Sequence, residues 1–353
     1  MNAPDRSPVM PAPSTDAKNR FTVGVDLGGT NLRIAAYTHG ADLLEMMTMP
    51  ARIADGPMQV VLDMASGIRR LAQTDFGGLH FAGVGIGMPG PLELPEGILR
   101  NPPNLPGWNG FNLRRAIEEE LGFAVAFESD ANVAALAEYK LGAGKTHQVD
   151  SICVLTLGTG VGSGLIFHGK IWHGSTGMGG EAGHIIVDRF AEEECGCGGS
   201  GCLEQFASAS ALIRKAKRHY GSHAPTTALD LARRAREGDV LALSLFDSVG
   251  ESLAIGLAGL INTLNLPLYL LGGGVSEAWD LFAPAMFAAL PKRSYVYRLT
   301  APDEFYPATL EHHKTYIMKA QLGSNAGILG AALLAMQAAT EELSPLEKIV
   351  VAQ

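Results

Sequence analysis

A chain of 353 residues, 47% hydrophobic and 18% charged, is long enough for two globular domains, each with its own core. The formal net charge of −9 argues against nonspecific nucleic-acid binding through a basic face. Four cysteines are too few for a disulfide framework. No apolar run is expected to reach the roughly 20 residues of a membrane span. The first 18 residues are polar and Pro-containing, without the apolar stretch of a signal peptide, so a cytoplasmic location is expected.

Residues 1–20 read as a flexible leader. Residues 21–25 form a β-branched run that breaks at Asp26-Leu27-Gly28-Gly29-Thr30-Asn31, and residues 32–37 read as a second strand. The pair is a hairpin with a Gly-rich turn. A helix is expected at 58–75, a strand at 83–87, a Pro/Gly loop at 88–108, a helix at 113–121, a strand at 124–127 and a helix at 131–141. The strand–Gly-turn–strand pattern then returns, with a strand at 152–157, the turn Gly158-Thr159-Gly160-Val161-Gly162-Ser163-Gly164 and a strand at 165–167. Two such units about half a chain apart suggest a duplicated architecture. Further helices are expected at 203–219, 227–237 and 239–265. A strand at 268–271 enters Gly272-Gly273-Gly274, a helix starts at Ser276, and a last buried helix lies within 324–339. Strands alternating with helices make this an α/β chain. Cys153 and the helix at 248–265 read as core and inter-domain packing, the Glu118–Glu120 and Glu192–Glu194 runs as solvated faces, and His312-His313 is assigned no role.

Three cysteines lie within eight residues, Cys195-Gly-Cys197-Gly-Gly-Ser-Gly-Cys202, and His184 stands eleven residues before the first. Such a cluster serves disulfides or a metal, and the low cysteine count favours a tetrahedral Cys3His zinc site. The intervening glycines let a tight knuckle turn several times. Glu181 and Glu204 flank this cluster closely in sequence.

Phosphates need closely approaching backbone N–H donors, which glycine permits. Asp26 at a strand end could hold Mg2+ through water, and Thr30, Asn31 and Arg33 beyond Gly28-Gly29 could donate to phosphate oxygens. Gly158-Thr159-Gly160 offers a second cradle, and Gly273-Gly274 would admit an adenosine. Each turn alone is also an ordinary hairpin turn; three of them at strand ends are harder to dismiss. Neither a Walker A pattern nor a strand–GxGxxG–helix fingerprint is present. Asp130, between a strand and a helix, reads as an N-cap or as a general base for a substrate hydroxyl, and the two roles are compatible.

Taken together, these motifs resemble the ROK family of bacterial sugar kinases and sugar-responsive repressors, over residues 22 to about 335. The most specific part is Cys195-Gly-Cys197-Gly-Gly-Ser-Gly-Cys202-Leu203-Glu204, which matches the family's CxCGxxGCxE signature. The resemblance implies the two-domain actin-like (ribonuclease-H-like) fold with ATP and sugar in an inter-domain cleft. It implies an N-terminal domain at 21–129, completed by a C-terminal helix at 325–340, and a larger domain at 130–324 carrying the zinc knuckle at 184–202. It makes Asp26-Leu-Gly-Gly-Thr30 the first phosphate motif, Gly158-Thr-Gly160 the second, and Asp130 the catalytic base. Asn104, Glu181, His184 and Glu204 become sugar ligands, with His184 binding zinc through one ring nitrogen. Ser129 stands where the family usually has Asn, which bears on sugar choice. The expected activity is ATP- and Mg2+-dependent phosphorylation of a hexose 6-hydroxyl, glucose first, with N-acetylglucosamine, N-acetylmannosamine and fructose as competitors. A repressor would need a helix-turn-helix domain of roughly 60 residues ahead of Phe21, where twenty residues stand. A sugar-free actin-type ATPase would have no use for the polar set around the cysteines. The family suggests a dimer or tetramer, with no nucleic-acid or membrane partner.

Overall fold

The structure, a computed structural model, describes residues 19–341. The expected leader lies outside the described residues except for Asn19 and Arg20, and Arg20 already belongs to the first strand. The chain divides into two compact units. One holds the residues up to Val133 together with those from Gly327 onward, and the other is Ala134–Ala326.

In the first unit, β1 (Arg20–Leu27), β2 (Asn31–Thr38) and β3 (Leu43–Pro50) form an antiparallel meander. Helix α1 (Pro57–Gln73) returns the chain to β4 (His80–Met88), which runs parallel to β1. A small hairpin of β5 (Leu92–Glu93) and β6 (Ile98–Leu99) and then α2 (Leu113–Leu121) lead to β7 (Ala126–Ser129), parallel to β4. Helix α3 (Asp130–Lys140) follows directly. The sheet order is β3-β2-β1-β4-β7.

The second unit repeats the plan. After α4 (Ala143–Thr146), β8 (Ile152–Leu157), β9 (Val161–Phe167) and β10 (Lys170–Ile171) form a meander. A long excursion carries α5 (Glu204–Ala207), α6 (Ala209–Tyr220), α7 (Ala228–Arg236) and α8 (Val240–Leu264). Strand β11 (Leu268–Gly272) then lies parallel to β8. Helices α9 (Trp279–Arg293) and α10 (Tyr295–Thr300) precede β12 (Tyr316–Lys319), parallel to β11, and α11 (Ala326–Glu341) ends the described chain. The order β10-β9-β8-β11-β12 has the same directions, strand for strand, as the first sheet.

Side-chain alternation explains how the sheets are covered. Along β1, Phe21, Val23, Val25 and Leu27 enter one apolar core. On the opposite face Thr22 donates its hydroxyl to the Ala332 carbonyl at 3.1 Å, and a Cβ on Gly24 would overlap the Ile328 carbonyl of α11. A Cβ on Gly85 of β4 would overlap the Ala331 carbonyl, and one on Gly330 the Val133 carbonyl of α3. Helix α11 thus sits backbone to backbone on this sheet, which ties the chain's last helix to its first strand. Along β8, Cys153, Leu155 and Leu157 enter one core, while Ile152 and Val154 enter the other. The Cys153 thiol is buried, and burial alone pushes it up to about 12, as befits a core residue.

Several local expectations needed correcting. Strands β3, β10 and β12 carried no clear period-2 signal and were not anticipated; β3 is half-exposed along its whole length. The helix expected at 203–219 is two helices, because Ser208 turns extended and its hydroxyl accepts from the Ala211 N–H as the cap of α6. Beyond Gly273, residues 274–278 form a 3-10 turn before α9 begins at Trp279. The Glu192–Glu194 run is not merely solvated, since Glu193 pairs with Arg214 at 2.6 Å and Arg218 at 2.9 Å. Helix α8, 25 residues with mean hydropathy 1.6, is long and apolar enough to cross a membrane, contrary to the sequence expectation. Here its Phe246, Val249, Leu253, Leu257 and Ile261 lie in the core of the second unit, and its Gly250 packs against the backbone of α9.

The close seat of α11 gives a direct test. Gly85→Ala should destabilise the protein by about 1–3 kcal/mol, the usual cost of overpacking, in thermal or denaturant unfolding. A change below about 0.5 kcal/mol, the range of ordinary surface substitutions, would mean that α11 is not held this tightly.

Candidate active site

His184, Cys195, Cys197 and Cys202 each offer one donor atom, and the four donors lie within 4.8 Å of one another. Cys195 Sγ is 3.6 Å from His184 Nδ1, and Cys197 Sγ is 3.7 Å from Cys202 Sγ. A tetrahedral zinc with bonds of ~2.3 Å to sulfur and ~2.0 Å to nitrogen requires donor separations of ~3.5–3.8 Å. The donor types fit zinc, and the Cys195–His184 and Cys197–Cys202 pairs stand at that spacing. Backbone pairing builds the knuckle: Cys195 N–H donates to Gly199 O at 2.7 Å and Gly198 N–H to Cys195 O at 2.9 Å. Residues 185–187 run antiparallel to 201–203, through Val187 N–H to Gly201 O at 2.8 Å and Leu203 N–H to Ile185 O at 2.9 Å. Gly201 needs its positive φ of 74°, and a Cβ there would overlap the Asp188 carbonyl. Burial and the neighbouring sulfurs push the Cys202 thiol up to about 12. Three crowded sulfurs resist ionising together unless a cation joins them.

The polar groups beside the knuckle share its scaffold. His184 turns its other nitrogen, Nε2, toward Glu181 Oε2 at 3.9 Å. Burial raises the Glu181 carboxyl above the usual range, His184 lowers it, and the Glu204 charge raises it again. Glu204 opens α5 and accepts from the Val161 N–H at 2.9 Å through Oε2; its Oε1 is 3.8 Å from Cys195 Sγ. Ser163 of β9, not singled out in the sequence, donates to the Gly180 carbonyl and accepts from the Ala182 N–H at 3.0 Å. It fixes the loop that delivers Glu181 and His184. Its only sequence signal was a hydroxyl in an otherwise apolar, glycine-rich strand.

The glycine turns sort into two kinds. A Cβ on Gly160 would overlap the Glu204 carboxylate, and one on Gly273, at φ 81°, would overlap the Leu157 backbone. The fold requires glycine at 273, and at 160 a side chain would displace the Glu204 carboxylate. Gly29, Gly158 and Gly274 have ordinary φ and open space where a Cβ would stand. They follow the ends of β1, β8 and β11, where ligands of α/β proteins approach. Gly28 N–H bonds Asn31 O at 2.8 Å, closing the first turn and leaving Thr30 and Asn31 exposed. Thr159 is exposed at the tip of the second turn, and Gly158 N–H donates to Gly160 O at 2.9 Å.

Asp26 is buried at the end of β1, where Arg33 grips its Oδ2 through Nε at 3.0 Å and through a second guanidinium nitrogen. Arg33 thus spends two of its five N–H donors on a carboxylate, a partner the sequence did not show. The Asp26 carboxylate also lies against Gly327, in the first turn of α11. Asp130 starts α3 immediately after β7, and its Oδ1 accepts from the Ala131 N–H at 2.7 Å. Beside it Glu128, buried, accepts from the Ser129 N–H at 2.8 Å and from Asn132 Nδ2 at 2.9 Å. Strands β1, β4 and β7 run parallel, so Asp26 and Asp130 stand at the same end of one sheet. Asn104 is exposed in a loop pinned by buried Leu105 and Trp108.

The first unit thus brings Asp26, Gly28, Gly29, Thr30, Asn31 and Arg33 together at one strand end, with Asp130 at another and Asn104 in a separate loop. The second gathers Glu181, His184, Cys195, Cys197, Cys202 and Glu204, and joins Gly158–Gly160 to that group through Glu204. Gly273 and Gly274 follow β11, next to the end of β8.

Comparison with known proteins is consistent along the chain. The model of the ROK family matches residues 22–338. A glucokinase of Halalkalibacterium halodurans is 34% identical over 90% of this chain and 96% of its own. A crystal structure of a ROK family glucokinase from Streptomyces griseus, in complex with glucose and AMPPNP, superposes with a TM-score of 0.72 at 29% identity, covering 90% of this chain and 99% of that one. A xylose repressor of Caldicellulosiruptor bescii is 27% identical over 83% of this chain and 74% of its own length. The duplicated five-stranded sheets and the cysteine signature agree with these matches, and the chain is a member of the ROK family, with its actin-like two-domain fold.

Proposed function

We propose that this protein is an ATP-dependent hexose kinase that phosphorylates the 6-hydroxyl of glucose. The carrying observation is the grouping of Glu181, His184 and Glu204 beside a single knuckle whose three thiols and imidazole lie within 4.8 Å of one another. Two carboxylates that accept hydroxyl protons and a ring N–H that donates to a hydroxyl oxygen suit a polyhydroxy ligand. The glucokinase relative and the glucose–AMPPNP complex support the same sugar and the same phosphoryl donor.

The proposed roles follow from the chemistry each group can do. His184, Cys195, Cys197 and Cys202 would hold a zinc ion, and His184, its imidazole fixed there through one nitrogen, would turn its second ring N–H to the sugar. Glu181, Glu204 and Asn104 bind the other hydroxyls. Gly29, Gly158 and Gly274 leave room for the nucleotide, with backbone N–H groups and the Thr30, Thr159 and Asn31 side chains as donors. Asp26, its Oδ2 held by Arg33, keeps Oδ1 for Mg2+, which would neutralise charge developing on the phosphates. Asp130 takes the proton of the 6-hydroxyl as that oxygen bonds to the γ-phosphorus. The bond from phosphorus to the bridging oxygen breaks, leaving hexose 6-phosphate and ADP. Ser129, next to the base, is a shorter donor than asparagine and bears on which of glucose, N-acetylglucosamine, N-acetylmannosamine or fructose is preferred. The xylose repressor relative keeps a sugar-sensing role as the second reading; the net charge of −9 opposes DNA binding.

An ADP-release assay with ATP, Mg2+ and each of these hexoses should show turnover that requires sugar, fastest with glucose. Sugar binding without any turnover would favour the sensor, and ATP hydrolysis indifferent to sugar would favour a plain ATPase. Asp130→Asn should lower kcat by about 10²–10⁴-fold and leave sugar affinity nearly intact. Near-normal turnover removes Asp130 from the role of base. Gly29→Ala should leave the melting temperature unchanged yet raise the ATP KM by about tenfold, a cost of ~1.4 kcal/mol. An unchanged KM would show that no phosphate approaches this turn.

A further inference from the structure

We infer that Glu204 is a positioning residue for the nucleotide as well as a sugar ligand, so that sugar and nucleotide affinities are coupled through it. The inference rests on the proposed roles of Glu204 and of the 158–160 turn, and adds a physical link between them.

Three observations carry it. Glu204 Oε2 accepts the Val161 N–H at 2.9 Å, at the exit of the glycine turn. The Cα of Gly160 lies so close that a Cβ there would overlap the same carboxylate. Five residues after Glu204, the Ala209 N–H donates to the Gly158 carbonyl at 2.8 Å, at the entry of the turn. The segment 204–209 therefore grips the turn at both ends. Gly158 N–H to Gly160 O closes it internally at 2.9 Å, so the turn moves with that segment.

The other oxygen of Glu204 faces the knuckle, 3.8 Å from Cys195 Sγ. One carboxylate is thereby shared between the turn and the sugar-side loop. A sugar hydroxyl that donates to Glu204 selects one orientation of the carboxylate, and that orientation sets the Val161 N–H and the turn. The converse holds by thermodynamic necessity, because coupling between two ligands is reciprocal. Gly160 is then a glycine for the sake of Glu204. The phosphates require only that the neighbouring Gly158 be small.

The test measures each ligand alone by calorimetry, with no turnover involved. Gly160→Ala, a change in the nucleotide turn, should weaken glucose binding by about tenfold in the absence of nucleotide, the scale of one lost charge-assisted hydrogen bond. Glu204→Ala should weaken binding of Mg2+–AMPPNP by about tenfold in the absence of sugar. Glu204→Gln, which keeps an oxygen for the Val161 N–H, should restore most of that nucleotide affinity. Wild-type glucose affinity in Gly160→Ala, or wild-type AMPPNP affinity in Glu204→Ala, overturns the coupling. Equal losses in Glu204→Ala and Glu204→Gln also overturn it, because the hydrogen bond would then not be the cause. If the wild-type protein binds AMPPNP and not glucose, the glucose reading fails by itself, and the two Glu204 variants still decide the grip on the turn.

Discussion

The proposed sugar side of the second unit is built around one constraint: three thiols and an imidazole from two loops meet within 4.8 Å of one another. Few side chains could do this work. The knuckle has little apolar surface with which to hold itself, and its glycines contribute flexibility in place of contacts. Two backbone ladders and one buried residue supply the rest. Leu203 is fully buried and packs against Gly256 of α8, and Glu204 follows it directly. The core therefore aims the carboxylate, and the donor cluster aims the imidazole. Glu181 and His184 share one short loop, held by Ser163 at one side and by the 185–187 pairing at the other.

The two sheets use glycine for opposite purposes. Gly24, Gly85 and Gly330 let α11 seat against strands and α3 with no room for a methyl group. Gly29, Gly158 and Gly274 face open space, so the protein itself gives no reason for them. Gly29 and Gly158 stand at duplicated positions, after β1 and after β8, which suits their proposed place beside the nucleotide. Asp26 shows the same economy. Its carboxylate is buried beside Arg33 and the first turn of α11, where a helix N-terminus favours negative charge.

Much of this was legible in the sequence, and the limits have physical reasons. The Cys195–Cys202 knuckle could be read because metal donors and glycines at such spacing serve few other ends. The repeated strand–glycine–strand pattern was visible because β1 and β8 are buried on both faces and therefore apolar throughout. Edge strand β3 was invisible for the converse reason, being partly exposed along its length. The break at Ser208 was missed because a serine inside a helical pattern is also tolerated; only its bond to the Ala211 N–H reveals a cap. The pairing of Arg33 with Asp26, its cross-strand neighbour, was hidden because sequence alone does not give the register of a hairpin. The difference between Gly158 and Gly160 was likewise hidden, because it lies in Glu204, 44 residues after Gly160 in the chain.

In the proposed function a metal-held knuckle forms the hexose-binding surface. The most direct measurement is glucose binding by the purified protein before zinc removal with a chelator, after it, and again after zinc is restored. One zinc per chain is expected, with loss of glucose binding on removal and recovery on restoration, and with AMPPNP binding reduced far less than glucose binding. Glucose affinity that is the same with and without zinc would contradict it.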